Sequence, residues 1–318
     1  MQAPTPLHVV LGAGQVGPLI AADLAARGLR VRIVRRGAFA APTPGIEQVS
    51  TDVSDPAQAV EACRGAAVVY HCVNPLYTQW PTHLLPLTRG ALAGATAAGA
   101  RLVVLDNLYM YGDTSHMHED APVAPRSRKG ELRVQAAAEL LAAHERGDVR
   151  VAIGRAADFF GPGALQATVF GERFFARVLA GKSAEAFGDP DQPHSYAYIP
   201  DVAAALVALG LADDATGVWM LPANPAESTR AVIARFGRAL GRDLEVSRLP
   251  TWLLRTIGVV SPLLREVAEM TYQWQQPYVV DDARIRARFG LAPTPWDDAI
   301  AATVAWATSR YAPARAAA

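Results

Sequence analysis

A glycine-rich run near the start of the chain has the residue types and the spacing to bind a phosphate group. The run Gly12-Ala13-Gly14-Gln15-Val16-Gly17 follows a short apolar segment and precedes a segment with helical periodicity. Gly12 would allow a tight turn, Gly14 would let the backbone approach a pyrophosphate, and Gly17 would let a helix pack closely on the strand. Backbone N–H groups and the helix dipole then favour the phosphate charge. We expect this run to bind a dinucleotide, the alternative being an ordinary strand-to-helix turn.

Two arginines lie at the position that distinguishes NAD from NADP in dinucleotide-binding proteins. A carboxylate about 20 residues after the glycine run usually accepts hydrogen bonds from the ribose of NAD. This chain has Arg35 and Arg36 there, and no nearby carboxylate. Two guanidinium groups can bind a 2′-phosphate through their charge and their paired N–H donors. The pattern favours NADP(H) over NAD(H), unless the two arginines are only solvated residues at the end of a strand.

The segments around these residues predict the elements that position them. Residues 7–11 and 29–34 have the apolar patterns of strands, and residues 18–27 have apolar side chains on one helical face. Further apolar runs, typical of buried parallel strands, occur at residues 66–72, 101–105 and 149–153. Strands that alternate with helices predict an α/β fold with a Rossmann-type, doubly wound parallel sheet.

Helices are expected between these strands, and the pattern changes in the second half of the chain. One helix is predicted at residues 82–98, with Thr82 as its N-cap, and a longer one at 127–146. From Gly154 onwards the segments become shorter, and aromatic residues cluster late in the chain. We therefore predict an NADP-binding Rossmann domain at residues 1–155 and a smaller C-terminal substrate-binding subdomain at 156–318, interleaved with the first.

Composition excludes several classes of function. Of the 318 residues, 51% are hydrophobic, which is enough for a large core, and the 30 basic residues balance the 30 acidic ones. The chain therefore has no overall charge that would attract nucleic acid or an anionic membrane. The most apolar segment, Trp252–Leu264, is short and contains Arg255, so we expect a buried or partner-facing helix rather than a membrane span.

Targeting and redox patterns indicate a cytoplasmic protein. The N-terminus lacks the charged and apolar regions of a signal peptide. Cys63 and Cys72 have neither the spacing of a metal site nor that of a disulfide framework. No other group of residues has the spacing of metal ligands, so we expect no metal site.

In several stretches the chain resembles the extended short-chain dehydrogenase/reductase family, of the NAD(P)-dependent epimerase/dehydratase type. These stretches are the glycine run, Asp52-Val53-Ser54-Asp55, residues 105–112 ending in Met-Tyr-Gly, residues 155–162, and residues 194–203. The resemblance covers nearly the whole chain. It implies that Asp52 contacts the adenine, that Val53 beside it also belongs to the cofactor site, and that Cys72-Val73-Asn74 lines the cofactor. It also implies that the helices near residues 82–98 and 127–146 would pack as a four-helix homodimer interface.

The catalytic residues that the resemblance implies are replaced in this chain. Members of the family carry a Ser or Thr four residues before the Tyr-Gly pair, and here that position is Asn107. Their Tyr-Gly-x-x-Lys segment aligns with Lys129-Gly130-Glu131-Leu132-Arg133. Asn107 could hold a carbonyl through its amide N–H, Lys129 could transfer a proton beside the cofactor, and Arg133 could position a ribose or an anionic substrate. Tyr109 is the alternative acid, and a solvated basic helix start is the alternative for Lys129.

Aromatic and histidine side chains are candidates for substrate binding. Tyr77, Trp80 and His83 follow the fourth predicted strand, at the edge where ligands bind in such sheets. His194 and Tyr196 could face the substrate from the second half of the chain. Packing inside a loop is an equally good interpretation of the first three.

Three functions are compatible with these features. The leading hypothesis is an NADP(H)-dependent oxidoreductase that acts on a small-molecule carbonyl, alcohol or sugar-like ring, with the hydride moving to or from the nicotinamide. The second is a regulator or scaffold that binds NADP(H) but has lost the proton-transfer residues. The third is an epimerase or dehydratase that reuses its cofactor without net redox. The loss of the usual tyrosine and lysine favours the second, and the aromatic-rich second half favours an enzyme.

Overall fold

The computed structural model describes residues 5–165, 168–249, 256, 259 and 261–311. The strands in these residues are β1 (Leu7–Leu11), β2 (Arg30–Arg35), β3 (Ile46–Ser50), β4 (Ala66–His71), β5 (Arg101–Asp106), β6 (His116–Met117), β7 (Val151–Arg155), β8 (Asp158–Phe160), β9 (Ala184–Phe187), β10 (Pro193–His194), β11 (Tyr196–Tyr198), β12 (Gly217–Met220), β13 (Glu227–Ser228), β14 (Val246–Leu249) and β15 (Val279–Val280).

The helices in the same residues are α1 (Gly17–Ala26), α2 (Pro56–Cys63), α3 (Trp80–Ala98), α4 (Arg128–Glu145), α5 (Glu172–Leu179), α6 (Ile199–Leu211), α7 (Thr229–Ala239), α8 (Pro262–Met270), α9 (Ala283–Phe289) and α10 (Trp296–Tyr311). Short 3₁₀ helices lie at Tyr77–Gln79, Tyr109–Tyr111 and Thr271–Trp274. The helix expected at Trp252–Leu264 falls largely outside the described residues. None of the described helices is long and apolar enough to cross a membrane.

The chain divides into two compact units. The first unit consists of Met1–Met110, Arg128–Arg155 and Val202–Leu221. The second unit consists of Tyr111–Ser127, Ala156–Asp201 and Pro222–Ala318. The chain therefore passes between the units more than once.

A seven-stranded sheet forms the centre of the first unit. Its strand order is β12-β7-β5-β4-β1-β2-β3, and every neighbouring pair is parallel. The order reverses between β1 and β4, and ligands bind in such sheets outside the carboxyl ends of the strands at this reversal. The prediction of a Rossmann-type parallel sheet with flanking helices is confirmed.

Helices cover both faces of this sheet. On one face, α2, α3 and α4 contribute Ala59, Ala91 and Leu140 to a buried cluster that also contains side chains of β1, β4, β5 and β7. On the other face, the side chain of Tyr70 in β4 packs against Gly210 in α6. Because β4 and its neighbours are covered on both sides, they are continuous apolar runs rather than alternating ones.

The second unit has a separate aromatic core. Phe160, Phe170, Phe236 and Trp296 are among its buried members, with α5, α7 and α10 packed around them. Neighbouring rings lie about 5 Å apart at their centroids and are mostly tilted or edge-on, as in Phe170–Phe236 at 5.0 Å. Of the late aromatic residues of the sequence, Trp296 belongs to this core, whereas Trp274 and Tyr278 stack on His194.

The structure corrects two local predictions. Thr82 does not cap α3, because the helix already begins at Trp80 with Pro81 in its first turn, and the Thr82 hydroxyl donates to the Gln79 carbonyl at 3.2 Å. The strand predicted at 149–153 is displaced to Val151–Arg155, because its pairing with β5 extends to the ends of both strands. The displacement brings Arg155 into the sheet, opposite Asp106.

Candidate functional site

We call residues Gly12–Gly17 the glycine turn. Its three glycines differ in what a side chain at each position would contact. Gly12 has a φ of +111°, and a Cβ there would lie 2.9 Å from the backbone carbon of Cys72. A Cβ on Gly17 would lie 1.8 Å from the carbonyl oxygen of Gly12. A Cβ on Gly14, in contrast, would meet no atom within 4 Å. Gly12 and Gly17 are therefore required by the fold itself, whereas Gly14 faces open space.

The N-terminus of α1 opens directly from this turn. Its N-cap is Val16, whose side chain makes no capping hydrogen bond, and the described first turn contains no acidic residue. Most helices satisfy their first N–H groups with a capping side chain. The positive end of the α1 dipole is therefore not neutralised by the helix's own side chains, which suits a phosphate ligand.

A cavity of about 340 Å³ lies beyond the ends of β2 and β3. Its lining residues are Arg36, Gly37, Ala38, Ser50, Thr51 and Asp52. Arg35 does not line it, since its guanidinium lies 5.7 Å from the centre of the Phe39 ring. The two arginines that the sequence offered together are thus separated, and only Arg36 faces the cavity.

Asp52 keeps its negative charge at the edge of this cavity. Its carboxylate accepts hydrogen bonds from the hydroxyl and the backbone N–H of Ser54, at 2.7 and 2.9 Å. These bonds lower the pKa of Asp52, and the nearby Arg36 guanidinium acts in the same direction. A ring nitrogen of His83 is 2.8 Å from the Thr82 hydroxyl.

The end of β4 lies against the glycine turn. The backbone N–H of Cys72 donates to the Leu11 carbonyl at 2.8 Å, and the Cys72 backbone closely approaches Gly12. Burial raises the pKa of the Cys72 thiol to about 12, so this thiol stays protonated at neutral pH. At Cys72, therefore, it is the backbone that borders the turn.

Three aromatic side chains form a corner at the ends of β4 and β5. The hydroxyl oxygens of Tyr77 and Tyr109 are 2.5 Å apart. Trp80 stacks on the Tyr109 ring, with centroids 6.0 Å apart and planes at 28°, and meets the Tyr77 ring edge-on at 5.5 Å. The indole N–H of Trp80 donates to the Pro75 carbonyl at 3.0 Å, which fixes the ring.

Asn107 follows β5 and is held in one orientation. Its side-chain carbonyl accepts the backbone N–H of Tyr109 at 3.2 Å, and its own backbone N–H donates to the Asp106 carboxylate at 2.9 Å. Because the carbonyl side of the amide is occupied, the amide N–H₂ points away from the backbone of this turn. That group can donate to a ligand oxygen, as a serine hydroxyl would.

Arg133 is the centre of a buried charged network. Its guanidinium is 3.3 Å from the Asp106 carboxylate, 3.0 Å from the side-chain carbonyl of Asn74, and 4.5 Å from the centre of the Trp80 ring. Arg155 lies on the other oxygen of Asp106 at 3.5 Å. We call these five residues the arginine network. It joins the ends of β4, β5 and β7 to α4.

Sequence reasoning did not identify two members of this network. Asp106 and Arg155 were parts of recognised stretches, but neither was assigned a role in the site. Each ends a parallel strand, and the register places them opposite each other. An acid and a base at the ends of two predicted neighbouring strands is the signal that would have revealed the pair.

Lys129 lies near the start of α4 and is almost fully buried, with 2% of its surface exposed. Its ammonium is 5.3 Å from the centre of the Tyr77 ring. It is therefore not part of a solvated helix start. The structure brings Asn107, Tyr109, Tyr77, Trp80, Lys129 and Arg133 together in the first unit.

Two further candidates pack inside the second unit. The Nε2 atom of His194 is 2.9 Å from the Asp158 carboxylate, and its ring stacks between Trp274 and Tyr278. Tyr196 is fully buried, and its hydroxyl is 2.8 Å from that of Thr229. Burial raises the pKa of Tyr196 well above its usual value. The structure shows both residues packed in this unit, and their contact with a substrate stays a prediction.

In the described part of the chain, no three His, Cys, Asp or Glu side chains are grouped so that they could hold a metal ion.

A comparison with protein families identifies the family of this chain. The model of the NAD dependent epimerase/dehydratase family matches residues 8–219, which is most of the chain. The chain belongs to this family. No curated protein matches it in sequence.

Solved structures with the same fold include three sugar-nucleotide enzymes. The dTDP-glucose 4,6-dehydratase of Bacillus anthracis, in complex with NAD, is 14% identical with a TM-score of 0.79 over 96% of this chain and 97% of that one. The UDP-glucuronic acid 4-epimerase of Bacillus cereus with NAD is 16% identical with a TM-score of 0.78, over 96% and 99%. The UDP-glucose 4-epimerase of Thermus thermophilus with NAD is 19% identical with a TM-score of 0.74, over 96% and 99%. At these identities the likeness shows a shared fold and nothing beyond it.

Proposed function

We propose that this protein is an NADP(H)-dependent oxidoreductase of the extended short-chain dehydrogenase type that acts on a carbonyl, alcohol or sugar-like small molecule. The observation that carries the cofactor assignment is the position of Arg36 in the cavity beyond β2 and β3. In this proposal the glycine turn and the α1 N-terminus bind the pyrophosphate, Asp52 and Val53 border the adenine, and Cys72, Val73 and Asn74 border the nicotinamide half.

Arg36 is the reason for preferring NADP(H). The structural neighbours carry NAD. In this chain the cavity beside β2 is lined by Arg36, Ser50, Thr51 and Asp52. The Ser50 and Thr51 hydroxyls already donate to the Gly37 carbonyl and to the Gln58 side chain, so we assign phosphate binding to the Arg36 guanidinium. Arginine binds phosphate oxygens through charge-assisted hydrogen bonds. The Asp52 carboxylate is already bonded to Ser54, so it competes little for the Arg36 guanidinium.

The reacting end of the cofactor would lie near the residues that follow β4 and β5. There Asn107 holds the substrate oxygen through its amide N–H₂, and a proton moves through Lys129 or Tyr109. Bound NADP(H) supplies hydride transfer. Arg133 stays on Asp106, Asn74 and Trp80, so it acts as a positioning residue for the ends of β4 and β5.

A second candidate is an epimerase or dehydratase that uses its cofactor without net redox. Membership of the epimerase/dehydratase family favours it. Both candidates need the same hydride and proton steps, and they differ in whether the reduced cofactor leaves. Tyr77, Trp80 and His83 are the candidates for substrate contact in the first unit, and His194 and Tyr196 stay separate candidates in the second. We keep the prediction that residues 1–155 bind the cofactor and residues 156–318 the substrate.

The proposal extends to assembly and location. α3 and α4 pack side by side, and Arg89 of α3 forms a two-pronged salt bridge with Glu139 of α4. A homodimer through these two helices of each copy would form a four-helix interface. Both cysteines are free thiols, in keeping with a reducing cytoplasm.

The test is a titration of the protein with NADPH and NADH, followed by fluorescence. Wild-type protein should bind NADPH more tightly. Arg36→Ala should weaken NADPH binding by about 1.5–3 kcal/mol, because charge-assisted bonds to the 2′-phosphate are lost, and should leave NADH binding nearly unchanged. Arg35→Ala is the matched control, since its side chain stacks on Phe39, and should change either affinity little.

Screening of sugar nucleotides and simple carbonyls then separates the functions. Consumption of NADPH would support the oxidoreductase, and an isomerised or dehydrated product with no net change in cofactor would support the second candidate. Equal affinities of the wild type for NADPH and NADH would contradict the role of Arg36. Tight NADPH binding without turnover of any compound would favour a regulator.

A further inference from the structure

The hydroxyl groups of Tyr77 and Tyr109 make a short polar contact in the first unit. The two hydroxyl oxygens are 2.5 Å apart, at the short end of the range for O–H···O hydrogen bonds. Distances of about 2.5–2.7 Å are typical when one oxygen carries a negative charge. The two tyrosines come from different elements, one from the 3₁₀ helix after β4 and the other from the turn after β5.

The surrounding side chains hold this pair in place. Trp80 contacts both rings and is itself fixed by its hydrogen bond to Pro75 and by the guanidinium of Arg133. The backbone N–H of Tyr109 is bonded to the side chain of Asn107. The bond thus holds the backbone of Tyr109 next to the amide that would hold a substrate oxygen.

Lys129 supplies positive charge beside the pair. Its buried ammonium faces the Tyr77 ring at 5.3 Å. A nearby cation favours the ionised form of a phenol. An ammonium can only donate hydrogen bonds, whereas a phenol can both donate and accept, so a pair of phenols can pass a proton in either direction.

We propose that the Tyr77–Tyr109 hydroxyl pair, with Lys129 as its stabilising cation, is the proton-transfer group of this site. The proposal rests on the proposed function, because it names the group that would serve the oxygen of the alcohol or carbonyl. It assigns to Tyr77 a catalytic role and to Lys129 an electrostatic one. The family's single tyrosine is thereby replaced by two tyrosines and a lysine drawn from three elements.

The oxidised cofactor of the proposed function would accept the electrons that the alcohol loses. When an alcohol is oxidised, its C–H bond breaks and the hydride goes to the oxidised nicotinamide, which is reduced. Its O–H bond breaks and the proton goes to the phenolate oxygen of the pair, forming a new O–H bond there. The carbon–oxygen double bond forms in the substrate. In the reverse direction, the pair returns the proton to the carbonyl oxygen as the hydride returns to carbon.

The first experiment needs neither cofactor nor substrate. A spectrophotometric titration of the nine tyrosines should show one tyrosinate forming below the ordinary range of about 10. That early step should disappear in Tyr77→Phe and in Tyr109→Phe, and should move to higher pH in Lys129→Met. Tyr311→Phe is the matched control and should retain it. Other charged groups near the pair include Arg133, which faces Trp80, and Asp106, which is held by two arginines.

The second experiment uses turnover of any substrate found in the screen. Tyr77→Phe and Tyr109→Phe should each lower kcat by about 10²–10⁴-fold, the usual contribution of a positioned acid–base group. NADPH affinity should stay within about twofold of wild type, so failure of cofactor binding tests the proposed function separately. Full turnover in either variant, or a tyrosine titration identical in wild type and both variants, would overturn the proposal.

Discussion

The glycine turn and the arginine network, both in the first unit, lie at carboxyl ends of strands of one sheet but are built in opposite ways. In the glycine turn, the backbone of Gly14 and the first turn of α1 face space that no side chain fills. In the arginine network, the charges of Asp106 and Arg133 are buried against each other. The first arrangement is suited to groups of a ligand, and the second stabilises the protein around the ligand. Arg133 aligns with the family's catalytic lysine and is also basic, yet its contacts give it a structural role.

Substitution of Gly14 should produce the largest effect, and it tests whether the glycine turn binds the cofactor. Gly14→Val should abolish binding of NADPH and NADH, because its side chain would occupy the space expected for the pyrophosphate. The fold should remain intact, since a Cβ at this position meets no protein atom within 4 Å. Circular dichroism and fluorescence titration measure the two effects.

Gly17→Val provides the contrast to Gly14→Val. Its Cβ would lie 1.8 Å from the Gly12 carbonyl oxygen, so this variant should lose thermal stability as well as binding. If Gly14→Val remains folded and still binds NADPH, the assignment of the turn is wrong.

Substitution of Arg133 should produce the next largest effect, and it should appear in stability. Arg133→Met removes one partner of a buried ion pair and should cost about 3 kcal/mol in the free energy of unfolding, at the lower end of the range because Arg155 still pairs with Asp106. Urea denaturation measures this loss. Arg89→Met, which breaks an exposed salt bridge on α3, should cost less than about 1 kcal/mol. Equal losses in the two variants would show that the network is not structural.

The pH dependence of stability gives a smaller effect at the end of β4. Burial, with a contribution from the nearby charge of Arg133, lowers the pKa of His71 from 6.5 to about 4. Below about 6.5 the unfolded chain binds a proton that the folded protein does not, so stability should fall between pH 6.5 and 4 and then level off as far as this residue is concerned. The total is about 3 kcal/mol at most.

Urea midpoints at several pH values, compared with His71→Leu, measure the contribution of His71. The difference between the two proteins should shrink as the pH falls from 6.5 to 4. A difference that stays constant over this range would show that His71 is protonated in the folded state.

The sequence was sufficient for the parts of the site that are contiguous in the chain. The turn from Gly12 to Gly17 depends on neighbouring residues and was predicted from them. The cap of α2 is equally local: the Asp55 carboxylate accepts hydrogen bonds from the backbone N–H groups of Ala57 and Gln58. The arginine network unites Asn74, Asp106 and Arg133, which are far apart in sequence. Their contacts depend on the register of β5 against β7 and on where α4 begins, which local patterns do not specify.

The same reasoning explains Arg35, which ends β2, and Arg36, which follows it. They are adjacent in sequence and chemically equivalent, so the sequence predicted a joint role. Successive side chains along an extended segment point to opposite sides. Arg35 accordingly lies on Phe39, and Arg36 lines the cavity. The two arginines therefore have different surroundings, and we predict that they differ in function.

A crystal structure of the protein with NADPH bound tests the central claim most directly. The account predicts the pyrophosphate at the glycine turn, the 2′-phosphate within hydrogen-bond distance of Arg36, and the nicotinamide ring beside Asn107 and the Tyr77–Tyr109 pair. Density that places the 2′-phosphate away from Arg36, or the nicotinamide away from the ends of β4 and β5, would contradict it.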